Sequence, residues 1–182
     1  MPFHETHIEG LKIFEPKIWK DERGYFYESY NLRTFFSGGI RATFVQDNEA
    51  KSTYGVLRGL HYQIEPYAQA KLVRVLEGEV LDVAVDLRED SKTYGEWYSI
   101  RLSAENKKQL FVPRGFAHGY VVLSPTAVFA YKVDNYYSKE SEGGLIYNDP
   151  TLNIDWEIEE AAVVLSDKDR ILPQIGAHRR FE

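Results

Sequence analysis

The sequence predicts an all-β fold, a sandwich or barrel with a few short helical turns. Three observations carry that reading. Apolar residues recur at every second position through the middle of the chain, the period of a pleated strand with one buried face. Gly and Pro break these stretches at short intervals. The chain is also 14% aromatic, with 13 Tyr, 10 Phe and 3 Trp, and rings suit half-buried strands better than helices.

In chain order, "YFYESY" (25–30) and "ATFVQDN" (42–48) read as short strands. They flank a segment around 31–36 that forms one helical turn or more. "KLVRVLEGEVLDVAVDL" (71–87) reads as two strands turned at Glu77-Gly78, with Leu81, Val83, Val85 and Leu87 on one face. "SAENKKQ" (103–109) is a weaker helical segment that Ser103 would cap. "QLFVPRGFAHGYVVLS" (109–124) and "AVFAYKVDNYY" (127–137) are further strands, punctuated by Pro113, Gly115 and Pro125. From about 151 the pattern is less regular, and a short helix is expected to lie against the sheets. With no linker, repeat or low-complexity tract, residues 1–182 read as one domain.

Composition narrows the function. A net charge of −6 argues against general nucleic-acid binding, which depends on basic surface, but leaves room for a basic pocket holding one small phosphate ligand. Cysteine is absent, which removes disulfides, thiolate nucleophiles and thiolate metal sites. No apolar run is long enough for a membrane span and no signal-peptide core opens the chain, so a cytoplasmic protein is expected.

Five histidines are present. His4, His7 and His178 lie near the termini, where solvated roles are expected. His61 and His118 lie inside strand patterns beside glycines, and their flanking is specific. Gly55, five residues, then His61 opens the first motif of the cupin superfamily, a jelly-roll fold that commonly holds a metal. "PRGFAH" (113–118) fits the second motif, Pro-x-Gly-x-x-His. In metal-binding cupins a second His stands where this chain has Gln63, and a glutamate stands where it has Lys71, seven positions before Gly78. A lysine ammonium offers no lone pair and repels a divalent cation. The pocket therefore reads as a cupin pocket without a metal, in which a cation beside a histidine suits an oxyanion with the imidazole as base.

Across nearly its whole length the chain resembles the dTDP-4-dehydrorhamnose 3,5-epimerase family. The motifs are "RGYFYE" (23–28), "FVQDN" (44–48), "GVLRGLHYQ" (55–63), "QAKLVRVLEGEVLDVAVDLREDSKTYGEW" (69–97), "VPRGFAHGYVVLS" (112–124), "YKVDNYY" (131–137), "EGGLIYNDP" (142–150) and "LSDKD" (165–169). The resemblance implies a cupin-type jelly roll and cofactor-independent proton transfer. The protons move at the two carbons flanking the 4-keto group of a dTDP-linked 6-deoxyhexose.

By motif position, His61 resembles the catalytic base and Asp169 the carboxylate that orients it. Tyr131 resembles the acid on the opposite face of the sugar, while Lys71 and His118 hold the oxyanion or neighbouring sugar oxygens. Arg58 and Arg23 resemble diphosphate contacts. Gln46, Asn48 and Glu28 resemble nucleoside and sugar contacts, Lys168 and Glu142 further ligand positions, and Tyr136 a ring that stacks on thymine. The resemblance also implies a homodimer in which early strands complete the neighbour's site, so that Arg23 and Glu28 act across an interface. Ala50 departs from the family pattern by replacing a serine. Since Arg58 and His61 alternate to opposite faces of an ideal strand, a bulge is expected at Gly59.

Alternatives remain open at this level. His61, Asp169 and Tyr131 together favour the double epimerase; the alternatives are a single-carbon epimerase, a ketoisomerase of the same sugar class, and a sugar-nucleotide-binding cupin without catalysis. A metal-dependent cupin oxygenase is opposed by Lys71 and Gln63.

Overall fold

The computed structural model describes residues 2–181. Two antiparallel sheets face each other. In chain order the strands are β1 (Phe3–Glu5), β2 (Lys12–Phe14), β3 (Trp19–Asp21), β4 (Gly24–Phe26), β5 (Gln46–Thr53), β6 (Leu57–Gln63) and β7 (Lys71–Glu77). They continue with β8 (Glu79–Asp86), β9 (Trp97–Ser103), β10 (Gln109–Val112), β11 (Phe116–Val122), β12 (Thr126–Val133) and β13 (Glu142–Gly144). One sheet has the order β1-β2-β10-β7-β12-β5, the other β13-β6-β11-β8-β9, and β3 and β4 form a separate two-stranded ribbon. Neighbours far apart in sequence, such as β10 with β7 and β11 with β6, give the crossing connectivity of a jelly roll.

Three apolar layers follow from strand alternation. Between the sheets lie Val73, Val75, Val80, Leu110, Phe116, Tyr120 and Phe129. Leu81, Val83, Val85 and Leu87 do share one face, as their spacing predicts. It is the outer face of their sheet, covered by Trp156, Ile158, Leu165 and Phe181 of the tail. On the outside of the other sheet, α1 (Leu32–Ser37) buries Phe35 against Phe14 and Phe111. Asn31 caps this helix, its side chain accepting from the Arg33 and Thr34 amides. β8 is thus apolar on both sides, which makes its two fully buried acids conspicuous: Asp86 at its end, paired with Arg88, and Asp82 in its middle.

The turn expected at Gly78 is present, but it carries the chain from one sheet to the other: β7 and β8 do not pair. Gly78 has φ +77°, and a Cβ there would sit 2.1 Å from the Thr126 carbonyl oxygen. The helix expected over 103–109 is not formed. Asn106 accepts from the Ser103 and Lys108 amides and Lys107 takes φ +55°, so local side-chain bonds close a turn instead. The strand over 127–137 stops at Val133, because Asp134 turns its carboxylate to the Ala70 amide. The tail forms two 3₁₀ turns, Glu160–Ala162 and Asp169–Ile171.

Candidate active site

A cavity of about 420 Å³ opens between the sheets. That volume suits a small ligand. Arg58 and His61 on β6 and His118 and Tyr120 on β11 line one wall; Lys71 on β7, Phe129 and Tyr131 on β12 and Ala50 on β5 line the other. Leu165, Ser166 and Asp169 close the rim.

Arg58 and His61 reach the same cavity because β6 carries one residue too many. His118 pairs with His61 and Tyr120 with Arg58, so two steps on β11 match three on β6. The bulge expected at Gly59 is there. Gly59 has φ +132°, and a Cβ would meet Gly119 Cα at 2.5 Å and the His118 carbonyl oxygen at 2.9 Å. The extra residue rotates His61 onto the face that Arg58 occupies.

His61 Nε2 lies 2.6 Å from Asp169 Oδ1. Burial alone would raise the Asp169 carboxyl, but bonding to His61, the His61 charge, the Ser166 hydroxyl and the Gly59 amide outweigh it and hold the group below its ordinary value. The carboxylate is therefore ionised and fixed, a geometry that orients the imidazole. His118 makes a second such pair, with Nε2 2.9 and 3.0 Å from the two oxygens of Asp82.

Lys71 Nζ donates to the His61 carbonyl oxygen at 3.3 Å. Burial pulls its pKa down to about 8, with the Asp82 charge opposing the fall. Burial also raises Asp82, with His118 and Lys71 opposing. Tyr131 projects from the other sheet, directly opposite Asn48 in the ladder. Burial raises its hydroxyl, opposed by Arg58, so it enters any reaction as the protonated donor. Gln63, at the degenerate ligand position, spends its amide elsewhere. It donates to the Tyr67 and Tyr136 carbonyls and accepts from the Ser138 amide.

A base held by a carboxylate, a cation beside it and a phenol on the facing wall together form a proton-transfer site. A model of the dTDP-4-dehydrorhamnose 3,5-epimerase family matches residues 5–176. The chain belongs to this family. A dTDP-4-dehydrorhamnose 3,5-epimerase of Shigella flexneri is 55% identical over 166 residues, 91% of each chain. The crystal structure of one from Elizabethkingia anophelis NUHP1 superposes with a TM-score of 0.93 at 58% identity, covering 96% of both chains. The Legionella pneumophila enzyme, solved in complex with dTDP-4-keto-L-rhamnose, gives a TM-score of 0.92 at 52% identity and covers 96% of this chain and 93% of that one. The cupin-like, all-β architecture is thus shared with the epimerases.

The remaining residues singled out in the sequence spread around this centre. Gln46 and Asn48 continue the inward face of β5 beyond Ala50, with the Gln46 amide donating to Asn48 Oδ1 at 2.9 Å. Glu142 and Lys168 form an ion pair of 2.6 Å between β13 and the loop carrying Asp169. Tyr136 is exposed outside the cavity lining. Arg23 and Glu28 are not brought to this chain's own cavity: Arg23 pairs with Asp21 on the β3–β4 hairpin, and Glu28 accepts from Asn31 and Thr34 at the start of α1. Asp82, Tyr120, Phe129 and Ser166 are site residues that the sequence reading missed. An acid inside the apolar run "EVLDVAVD" was the available signal for the first; Tyr120 had none beyond its spacing from His118.

Proposed function

We propose that this protein epimerises carbons 3 and 5 of dTDP-4-dehydro-6-deoxy-D-glucose, giving dTDP-4-dehydro-L-rhamnose. The observation that carries the mechanism is the His61–Asp169 pair facing Tyr131 across one cavity, with Lys71 beside it.

The 4-keto group acidifies the hydrogens on the carbons at either side, because the electron pair left by a departing proton spreads onto oxygen. His61 removes the proton, and the imidazolium that forms is balanced by Asp169. Lys71, still charged below about pH 8, stabilises the enolate oxygen from within the protein, where water screens it little. Tyr131, on the opposite sheet, delivers a proton to the other face of the carbon and inverts it. Solvent then removes the proton from His61 and returns one to Tyr131, and the second carbon follows by the same steps. Arg58 at the rim takes the diphosphate, with Gln46, Asn48, Glu142 and Lys168 arranged along the path to the nucleoside. His118, held by Asp82, gives the sugar oxygens a further partner.

The chain acts in this reading as one domain, in the cytoplasm and as a homodimer. The β3–β4 hairpin supports the dimer. Among the described residues it pairs with no other strand, and it leaves Trp19, Tyr25 and Phe26 exposed, with Arg23 between them. An isolated two-stranded ribbon is marginal alone, and its exposed rings suit the cavity rim of a second copy. Among the described residues no helix is long and apolar enough to cross a membrane.

The test is turnover of the 4-keto-6-deoxyglucose nucleotide in heavy water, followed by NMR, with the product trapped by a reductase. Deuterium at both carbons next to the ketone, with inversion, is expected. Label at one carbon would make it a single-carbon epimerase, and no label would leave a binding protein.

A further inference from the structure

Among the described residues, the Tyr120 hydroxyl is the buried side-chain polar atom left without a hydrogen-bond partner. Buried hydroxyls are nearly always bonded, and leaving one unmet costs stability that a phenylalanine of the same shape would not forfeit. The position is not one of loose packing. Tyr120 is 5% exposed, and its ring stacks on Phe129 with centroids 4.0 Å apart and planes 16° from parallel. It stands in the cavity wall, paired in one ladder with Arg58 and in the other with Asp82.

Its surroundings name the ligand atom it fits. Asp82 is already engaged by His118. The nearby Ser52 oxygen accepts from Arg58 Nε at 3.1 Å, and the phenol makes no bond to it. Arg58 is exposed at the cavity rim, and its Nε bond to Ser52 is the one hydrogen bond its guanidinium makes among the described residues. Burial raises the Tyr120 hydroxyl, with the Arg58 charge opposing, so it stays protonated and acts as a donor. A donor beside an exposed cation matches an anionic oxygen, whereas the neutral ketone of the proposed substrate has Lys71, His61 and Tyr131 for partners.

We propose that Tyr120 is a ligand-binding residue whose hydroxyl donates to a phosphate oxygen of the nucleotide sugar once Arg58 leaves Ser52 to hold that phosphate. The assignment deepens the epimerase reading and rests on it. It makes the phosphate the missing partner of an otherwise unmet donor, and it couples phosphate capture to a rearrangement of Arg58.

The experiment compares the wild-type chain with Tyr120→Phe by calorimetric titration of dTDP, alongside thermal unfolding and KM for the 4-keto sugar nucleotide. One hydrogen bond to a charged oxygen is worth about tenfold or more in affinity. The dTDP Kd is expected to rise by that factor and KM with it, while Tm stays level or rises because an unmet hydroxyl has been removed. An unchanged dTDP Kd would overturn the proposal. Raised KM with unchanged dTDP affinity would overturn the phosphate assignment and move the contact to the sugar. A lowered Tm would overturn it in favour of a packing role. Failure of the wild-type chain to bind dTDP would count instead against the epimerase reading.

Discussion

His61 Nε2 and Asp169 Oδ1 meet at 2.6 Å although 108 residues separate them in the chain. The strand that carries His61 and the tail that carries Asp169 are brought together by the apolar outer face of the five-stranded sheet, where Leu60 and Leu81 pack with Trp156 and Leu165. Packing thus sets the geometry of a charged pair. In Asp169→Asn the shape is kept while the charge is lost, so the imidazolium formed on proton abstraction has no counter-charge. A fall in kcat of roughly 10²- to 10⁴-fold is expected with little change in KM, the scale on which general bases and their orienting carboxylates act. Steady-state rates with a coupled reductase would check it; a kcat within a few-fold of wild type would remove Asp169 from the mechanism.

Lys71 gives the reaction a basic limb. Its folded pKa, about 8 against an ordinary 10.5, means that the charge facing the enolate is lost as pH rises through about 8. A pH profile of kcat should fall there. Lys71→Met should abolish that limb and cost roughly 10²- to 10³-fold at neutral pH, as loss of an oxyanion donor does. The stability sign runs the other way. Between about pH 8 and 10.5 the unfolded chain binds more proton at this position than the folded one, so this group's contribution to stability rises with pH across that window.

Tyr131 separates exchange from inversion. With Tyr131→Phe, His61 still removes and returns a proton on its own face, so deuterium from heavy water continues to enter the sugar. Delivery to the opposite face is lost, and inverted product should fall at least about 100-fold, the usual scale of a general acid. NMR of the recovered nucleotide distinguishes the two. Equal losses of label and inversion would place Tyr131 outside the protonation step.

Gly59→Ala attacks the bulge. The φ of +132° and the 2.5 Å approach to Gly119 Cα leave no room for a methyl group between two backbones. A cost of about 1–3 kcal/mol is expected from strain of this kind. At roughly 2–4 °C per kcal/mol for a chain of this size, that lowers Tm by several degrees. Because the same shift turns Arg58 and His61 out of register, kcat/KM should fall more than the stability loss explains. Calorimetry and kinetics on one preparation would test both.

What the sequence disclosed follows the range of the forces involved. Period-2 runs in Lys71–Glu77, Glu79–Asp86 and Phe116–Val122 marked strands correctly, since burial on a sheet face is written locally. The bulge was legible too, as a glycine between two residues that must share a face. The start of β5 was misjudged by four residues, because "ATFV" is apolar for packing against Tyr30 and the α1 layer rather than for pairing. Strands β1, β2, β3, β9 and β13 went unrecognised. Four of these have three residues each, too short to show a period, whereas the Trp97–Ser103 alternation was there to be read. Asp82 and Tyr120 were hidden for another reason: their importance lies in what stands across the ladder from them.

Arg23 tests the assembly. It lies on an exposed hairpin, bonded to Asp21 and away from the cavity that holds His61. A phosphate-binding role at the site therefore requires that the hairpin enter another copy. If it does, Arg23→Ala and His61→Asn each disable every cavity of their own homodimers. In a mixed dimer, however, one cavity carries both lesions and the other carries neither. Random reassortment of equal amounts makes half of the dimers mixed, with one intact cavity of two, so about a quarter of wild-type activity should return on mixing. The measurement is activity before and after denaturation and joint refolding of the two variants. No gain over the average of the separate variants would show that Arg23 serves no neighbour's site.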